Sequence, residues 1–177
     1  MSRTAASAPK PELENQLSPA IPTGPPSEVI RENAIIKCQF NVMPGLDVSE
    51  TLIVHEYRIW DGYVEATFDR TYESAMKKSP SHLIFLTALV HAQKAAYLAA
   101  CRHFGRTYAS GEAEFCKFWW TDVQVEIPKL IRREEDLVQK LWLTNCRPTG
   151  EASYQMNLLT TFCDSLTIRG SAPMFLV

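Results

Sequence analysis

The segment from His82 to Phe104, HLIFLTALVHAQKAAYLAACRHF, constrains this chain more than any other, because it reads as one long helix too apolar to lie on a surface. Whatever the fold, other elements have to cover it. At about 100° per residue, Leu86, Leu89, Gln93, Ala96 and Ala100 share a stripe with His82, while Thr87, His91, Lys94, Cys101 and Arg102 gather roughly opposite. The first stripe is the apolar one, which puts the Gln93 amide among apolar neighbours. A buried amide without a hydrogen bond costs about 1–3 kcal/mol, so Gln93 has either a protein partner or a ligand. Ser79-Pro80 reads as an N-cap with a first-turn proline, and Gly105 as the stop after Phe104.

A chain of 177 residues is long enough for one ordinary core. Residues 1–27 hold prolines at 9, 11, 19, 22, 25 and 26 among Ser, Ala and Lys, too little apolar surface to offset ordering entropy. They are read as a flexible tail, with 28–177 as a single domain. The formal net charge of −2 gives no general pull toward nucleic acid. Five cysteines, widely spaced and without a C-x-x-C pair, read as reduced core thiols. The first residues lack the apolar run of a signal peptide, and the long helix carries too many polar residues to span a membrane. A cytoplasmic protein is expected.

Folding is expected to begin near Val29, where Cys38, Phe40 and Val42 alternate, with strand or short helix both open. Thr51–Trp60 has strand composition, Asp61-Gly62 is a hairpin signal, and Tyr63–Phe68 alternates for the return. After the helix, Val123, Val125 and Ile127 alternate, Leu141 to Asn145 continues the pattern, and Thr149-Gly150 turns the chain before Tyr154–Phe162. Thr167–Val177 adds a last strand. The order predicts an α+β domain in which an antiparallel sheet curls around one long central helix. Edge strands and an apolar rim on such a sheet predict a homodimer.

There is no phosphate loop, dinucleotide glycine fingerprint, G-x-S-x-G elbow or H-E-x-x-H. The four histidines include no helical i, i+4 pair, so neither a metal nor a cofactor is expected.

This layout resembles the hot-dog fold, whose members act on acyl groups thioesterified to coenzyme A (CoA) or acyl carrier protein. At Glu73-Ser74-Ala75-Met76, then Ser79, His82 and Tyr97, the chain is similar to the FcoT-type fatty acyl thioesterases over about thirty residues without gaps. Beyond that stretch the similarity is one of order and pattern. Where that family offers a tyrosine after the E-S-A run and two helix asparagines, this chain holds Met76, Ile84 and Gln93; an upstream family tyrosine falls near Ala34. Only Gln93 keeps an amide.

The resemblance implies a thioester hydrolase for fatty or polyketide-like acyl chains. Gln93 then polarises the carbonyl or orients water, and His82, on the first helical turn, is a neutral imidazole suited to general-base work. Free N–H groups around Ser81 to Leu83 at the helix start would bind the thioester oxygen. Tyr72 and Glu73 reach the pocket mouth, Met76 and Ile84 occupy substrate-binding positions of the family's site, Ser79 reads as a cap rather than a nucleophile, and the helix–strand seam holds the acyl tail. His91, on the polar stripe, reads as exposed or at an interface, and Phe118, Trp119 and Trp120 as a pocket wall or dimer seam. The alternatives are a dehydratase, hydratase or conjugate-addition enzyme using His82 as acid-base, or a non-catalytic acyl-binding protein. Gln93 and His82 bonded only to backbone would favour the last.

Overall fold

In the computed structural model, which describes residues 19–41, 44–45, 47–76, 80–108 and 115–177, the Asp61-Gly62 signal turns the chain as expected. Strands β2 (Asp47–Trp60) and β3 (Tyr63–Ser74) pair antiparallel from Trp60 and Tyr63 down to Val48 and Ser74. Gly62 sits at φ +68°, the left-handed conformation such a tight turn requires. Ahead of them β1 (Glu28–Asn41) pairs with β2 as an edge strand, which settles the open choice near Val29. The tail lies largely outside the described residues. Where it is described, Gly24 accepts a hydrogen bond from Trp60 Nε1 at 2.8 Å, and Ser27 N–H donates to Ile59 O.

Helix α1 (Phe85–His103) is followed by β4 (Cys116–Phe118), β5 (Asp122–Glu126), β6 (Leu137–Pro148), β7 (Ser153–Phe162) and β8 (Leu166–Leu176). The sheet runs β1-β2-β3-β6-β7-β8-β4, with β5 also paired to β8, and every described ladder is antiparallel. The chain therefore leaves the sheet after β3, passes through α1, and re-enters at the far edge. This sheet wrapped on one helix is the hot-dog arrangement. Gly170 makes the far edge possible: a Cβ there would sit 2.3 Å from Asp122 O and 2.8 Å from the Trp120 ring.

The core lies between α1 and the sheet, where Leu52, Val54, Phe68, Leu98, Leu137 and Phe162 are fully buried. Burying an aliphatic or aromatic side chain of this size contributes about 1.5–3 kcal/mol, so this seam is the main source of stability. The helix meets it with its small residues. Ala88, Ala92, Ala95 and Ala99 are 0 % exposed, whereas Leu86 and Val90 are 45 % and 49 % exposed. The expected faces are thus rotated: Thr87 and His91, assigned to the polar side, are buried, and Leu86, assigned to the buried side, is not.

The start of the helix also moves. Ser79 lies outside the described residues, and α1 begins at Phe85 with Ile84 as an extended N-cap that offers no side-chain cap. His82 precedes the helix altogether. Gly105, at φ +68°, does end it, with its N–H on Arg102 O and the Arg106 N–H on Cys101 O. All five cysteines are free; burial pushes the Cys101 thiol up to about 11, which makes it an inert core residue.

Candidate functional site

At the start of α1 lies a buried ion pair that no local sequence motif announces. Glu50 on β2 and Arg70 on β3 are both inward-facing and fully buried, 3.0 Å apart. Burial pushes the Glu50 pKa up, opposed by the Ile84 N–H and by Arg70. The second Glu50 oxygen accepts the Ile84 N–H at 2.9 Å. A carboxylate from another strand therefore does the capping that Ser79 was expected to do, and places a negative charge at the positive helix end. Arg70 completes its hydrogen bonds on Ser81 Oγ, Arg132 O and Arg133 O. A buried guanidinium left unpaired would cost several kcal/mol, and here every nitrogen of Arg70 is bonded.

This network engages the groups expected to bind a thioester oxygen. Ser81 Oγ accepts from Arg70 and donates to Glu134 at 3.1 Å, and the Leu83 N–H donates to Ile131 O at 2.8 Å. With Ile84 N–H held by Glu50, the orphan amides move on to Phe85 and Leu86, the first residues of the actual helix.

His82 lies on the segment before the helix, half-buried, with its ring centroid 6.2 Å from that of Tyr72. Its Nδ1 is 2.8 Å from Pro80 O. A carbonyl can only accept, so Nδ1 is the donor, and in the neutral ring the lone pair lies on Nε2. Of the other candidate residues, Glu73 accepts from Ser49 Oγ at 3.2 Å, and the Met76 N–H is held by Ser74 Oγ at 3.1 Å. His82, Tyr72 and the first turn of α1 share one neighbourhood. Gln93 does not join it: at 1.5 Å per residue it stands about 12 Å along the helix from Phe85. Its Nε2 donates to Phe118 O at 3.0 Å.

A second buried polar group lies mid-helix. His91 Nε2 is 3.2 Å from Tyr57 Oη, and its ring packs on Phe68 and Phe162. In the sheet register Tyr57, Ala66, Gln139 and Phe162 form one row across β2, β3, β6 and β7, so His91 spans a row whose middle is small or polar. Burial, with Lys94 adding to it, pushes His91 down to about 3. It is a neutral core residue, not the exposed or interface histidine expected. Among the described residues no cluster of three His, Cys, Asp or Glu side chains is arranged to hold a metal, and no helix is long and apolar enough to cross a membrane.

No protein-family model and no curated protein matches the chain. Among solved structures it is similar to a mutant thioesterase from Pseudomonas aeruginosa, at 10 % identity over 70 % of this chain and 82 % of that one, with a TM-score of 0.44. A thioesterase from Haemophilus influenzae gives 10 % identity, 71 % and 78 % coverage, and a TM-score of 0.45. The E. coli PaaI protein from the phenylacetic acid degradation operon gives 9 %, 71 %, 79 % and 0.44. Likenesses this remote carry no information on substrate or chemistry, and the strand order itself defines the fold.

Proposed function

We propose that the chain is a cytoplasmic homodimeric hydrolase of fatty or polyketide-like acyl thioesters carried by CoA or acyl carrier protein. The observation that carries this reading is the bond from His82 Nδ1–H to Pro80 O, which leaves Nε2 as an oriented base. A water placed on Nε2 attacks the thioester carbonyl carbon as His82 takes its proton. The oxyanion then rests on the Phe85 and Leu86 amides. When the C–S bond breaks, the imidazolium returns its proton to the leaving sulfur, and acid and thiol depart.

The seam between helix and sheet is filled by side chains, so the acyl tail is assigned to the outer face of α1, along Leu86, Leu89 and Val90. On that face Leu86 and Val90 are exposed and Leu89 is partly buried against the core, while Trp119, Val123 and Ile127 around the short edge strand β5 are exposed. A second copy covering both closes a groove for the tail. The test is a panel of saturated and α,β-unsaturated acyl-CoA and acyl-carrier substrates with products identified by mass. Free acid is expected from the wild type, and His82→Gln should lower turnover by about 10²–10⁴ without loss of folding. Equal turnover by the two proteins rejects His82 as the base.

The second reading is a non-catalytic acyl-binding protein, and the bonds of Gln93 to Phe118 O and of His82 to Pro80 O both favour it, because each side chain is tied to backbone. The wild type separates the two: free acid released from an acyl thioester supports the hydrolase, and acyl-CoA binding without product supports the binder.

A further inference from the structure

Between the β5–β6 connection and the β7–β8 turn lies a cleft of about 510 Å³, lined by Lys129 to Arg133 with Cys163 and Ser165. Its volume falls within the roughly 300–1,000 Å³ of small-molecule sites. We infer that this cleft binds a nucleotide carrying two or more phosphates. Resting on the thioester reading above, that nucleotide is the handle of CoA.

Charge comes first. Lys129, Arg132 and Arg133 are all exposed, and among the described residues none of them forms an ion pair with a carboxylate. The neighbouring acids have their own partners: Glu134 takes the Ser81 hydroxyl, and Asp164 on the turn lies 3.6 Å from Lys140. Glu135 is exposed on the same connection. Arg133 Nη2 reaches across the cleft to Asp136 O and to Cys163 Sγ, so its guanidinium is positioned before any ligand arrives. An oriented guanidinium suits a phosphate's oxygens better than a mobile one.

Rigidity is the second argument. Arg132 O and Arg133 O are both held by the buried Arg70, so the cationic strip is anchored from beneath while its side chains stay outside. The ion pair with Glu50 thus ties the floor of the cleft to the N-cap of α1. The same strip runs beside the His82 segment, through Leu83 N–H to Ile131 O and Ser81 Oγ to Glu134. A handle bound here lies on the same framework as the proposed base. The third argument is apolar surface: Leu130 is 41 % exposed next to the cations, which gives a purine a face that a bare phosphate ion would not use.

Calorimetric titration of the full chain with 3′-phospho-ADP tests this without any thioester. Saturable binding is expected, weakening as salt rises and at least tenfold weaker in Lys129→Glu/Arg132→Glu, with Lys129→Gln/Arg132→Gln intermediate. Lys37→Glu, a charge change on the distant edge strand β1, should bind as the wild type does. Absence of binding at millimolar nucleotide, or equal binding by a folded Lys129→Glu/Arg132→Glu variant, overturns the inference. So does inorganic phosphate binding as tightly as the nucleotide. In turnover, wild-type KM should be at least tenfold lower for acyl-CoA than for the acyl-phosphopantetheine; equal KM values overturn the nucleotide site and leave the hydrolase reading standing. Nucleotide binding without hydrolysis of any thioester does the reverse.

Discussion

The two faces of α1 follow only in part what a simple count of hydrophobicity assigns them: Ala96 and Ala100 are buried on the expected apolar stripe, but Leu86 on that stripe is exposed and Thr87 and His91 opposite it are buried. The inner face meets the sheet with alanines, Thr87 and the fully buried His91; the outer face shows Leu86 and Val90 to solvent at 45 % and 49 % exposure. Periodicity locates a helix and its faces, but which face turns inward depends on fit. A strongly curled sheet lets the helix approach closely only where side chains are small, and His91 is admitted because Tyr57 meets it. Large apolar residues on the outside then need another cover.

The most damaging way to break the inner face is at its start. Arg70→Ala leaves Glu50 buried without its charge partner and frees the carbonyls of Arg132 and Arg133. A loss of about 3–5 kcal/mol is expected, read from urea melts. Arg70→Met/Glu50→Leu should recover most of it, since two apolar side chains replace the pair without an orphan charge. A double variant as unstable as the single one would show that the cap on Ile84, not the ion pair, dominates.

This network marks where the sequence stops being legible. Strands were readable because their cues are local: the Asp61-Gly62 turn, the alternation at Val123 to Ile127, and Thr149-Gly150 all fall where expected. The cap on α1 was not, since it comes from Glu50, whose contact with Ile84 spans 34 residues. One signal was available: Glu50 and Arg70 both occupy inward parities, beside Leu52 and Phe68, where a charge needs a partner. Tyr72 beside His82 and the cleft of Lys129 to Arg133 likewise arise from segments that only the sheet brings together.

A second test sharpens the comparison through pH. An unfolded histidine titrates near 6.5, whereas His91 in the fold is pushed down to about 3, first by burial and then by Lys94. Between those values the unfolded chain binds a proton that the folded one refuses. Stability from this group is therefore complete above about pH 6.5 and falls with pH below it, by about 1.4 kcal/mol per pH unit. Glu50, pushed up by burial, acts in the opposite direction, so the measurement is the difference between wild type and His91→Gln across pH 4–7. Parallel curves would mean that His91 gains a proton without unfolding the chain.

The smallest effect on the single chain is expected on the outer face, and there it carries the most information. Val90→Ser at a half-exposed position should change monomer stability by no more than about 0.5 kcal/mol, because water already reaches that side chain. If a second copy covers Leu86 and Val90, the wild type is a dimer at micromolar concentration by light scattering, with a midpoint of thermal unfolding that rises with protein concentration. Leu86→Ser/Val90→Ser should then scatter as a monomer and lose that dependence while keeping its far-ultraviolet spectrum. A wild type that is monomeric at the same concentration removes the second copy as the cover, and with it the groove assigned to the acyl tail. The base proposed at His82 would be untouched by that result, since the orientation of its ring comes from Pro80 within the same chain.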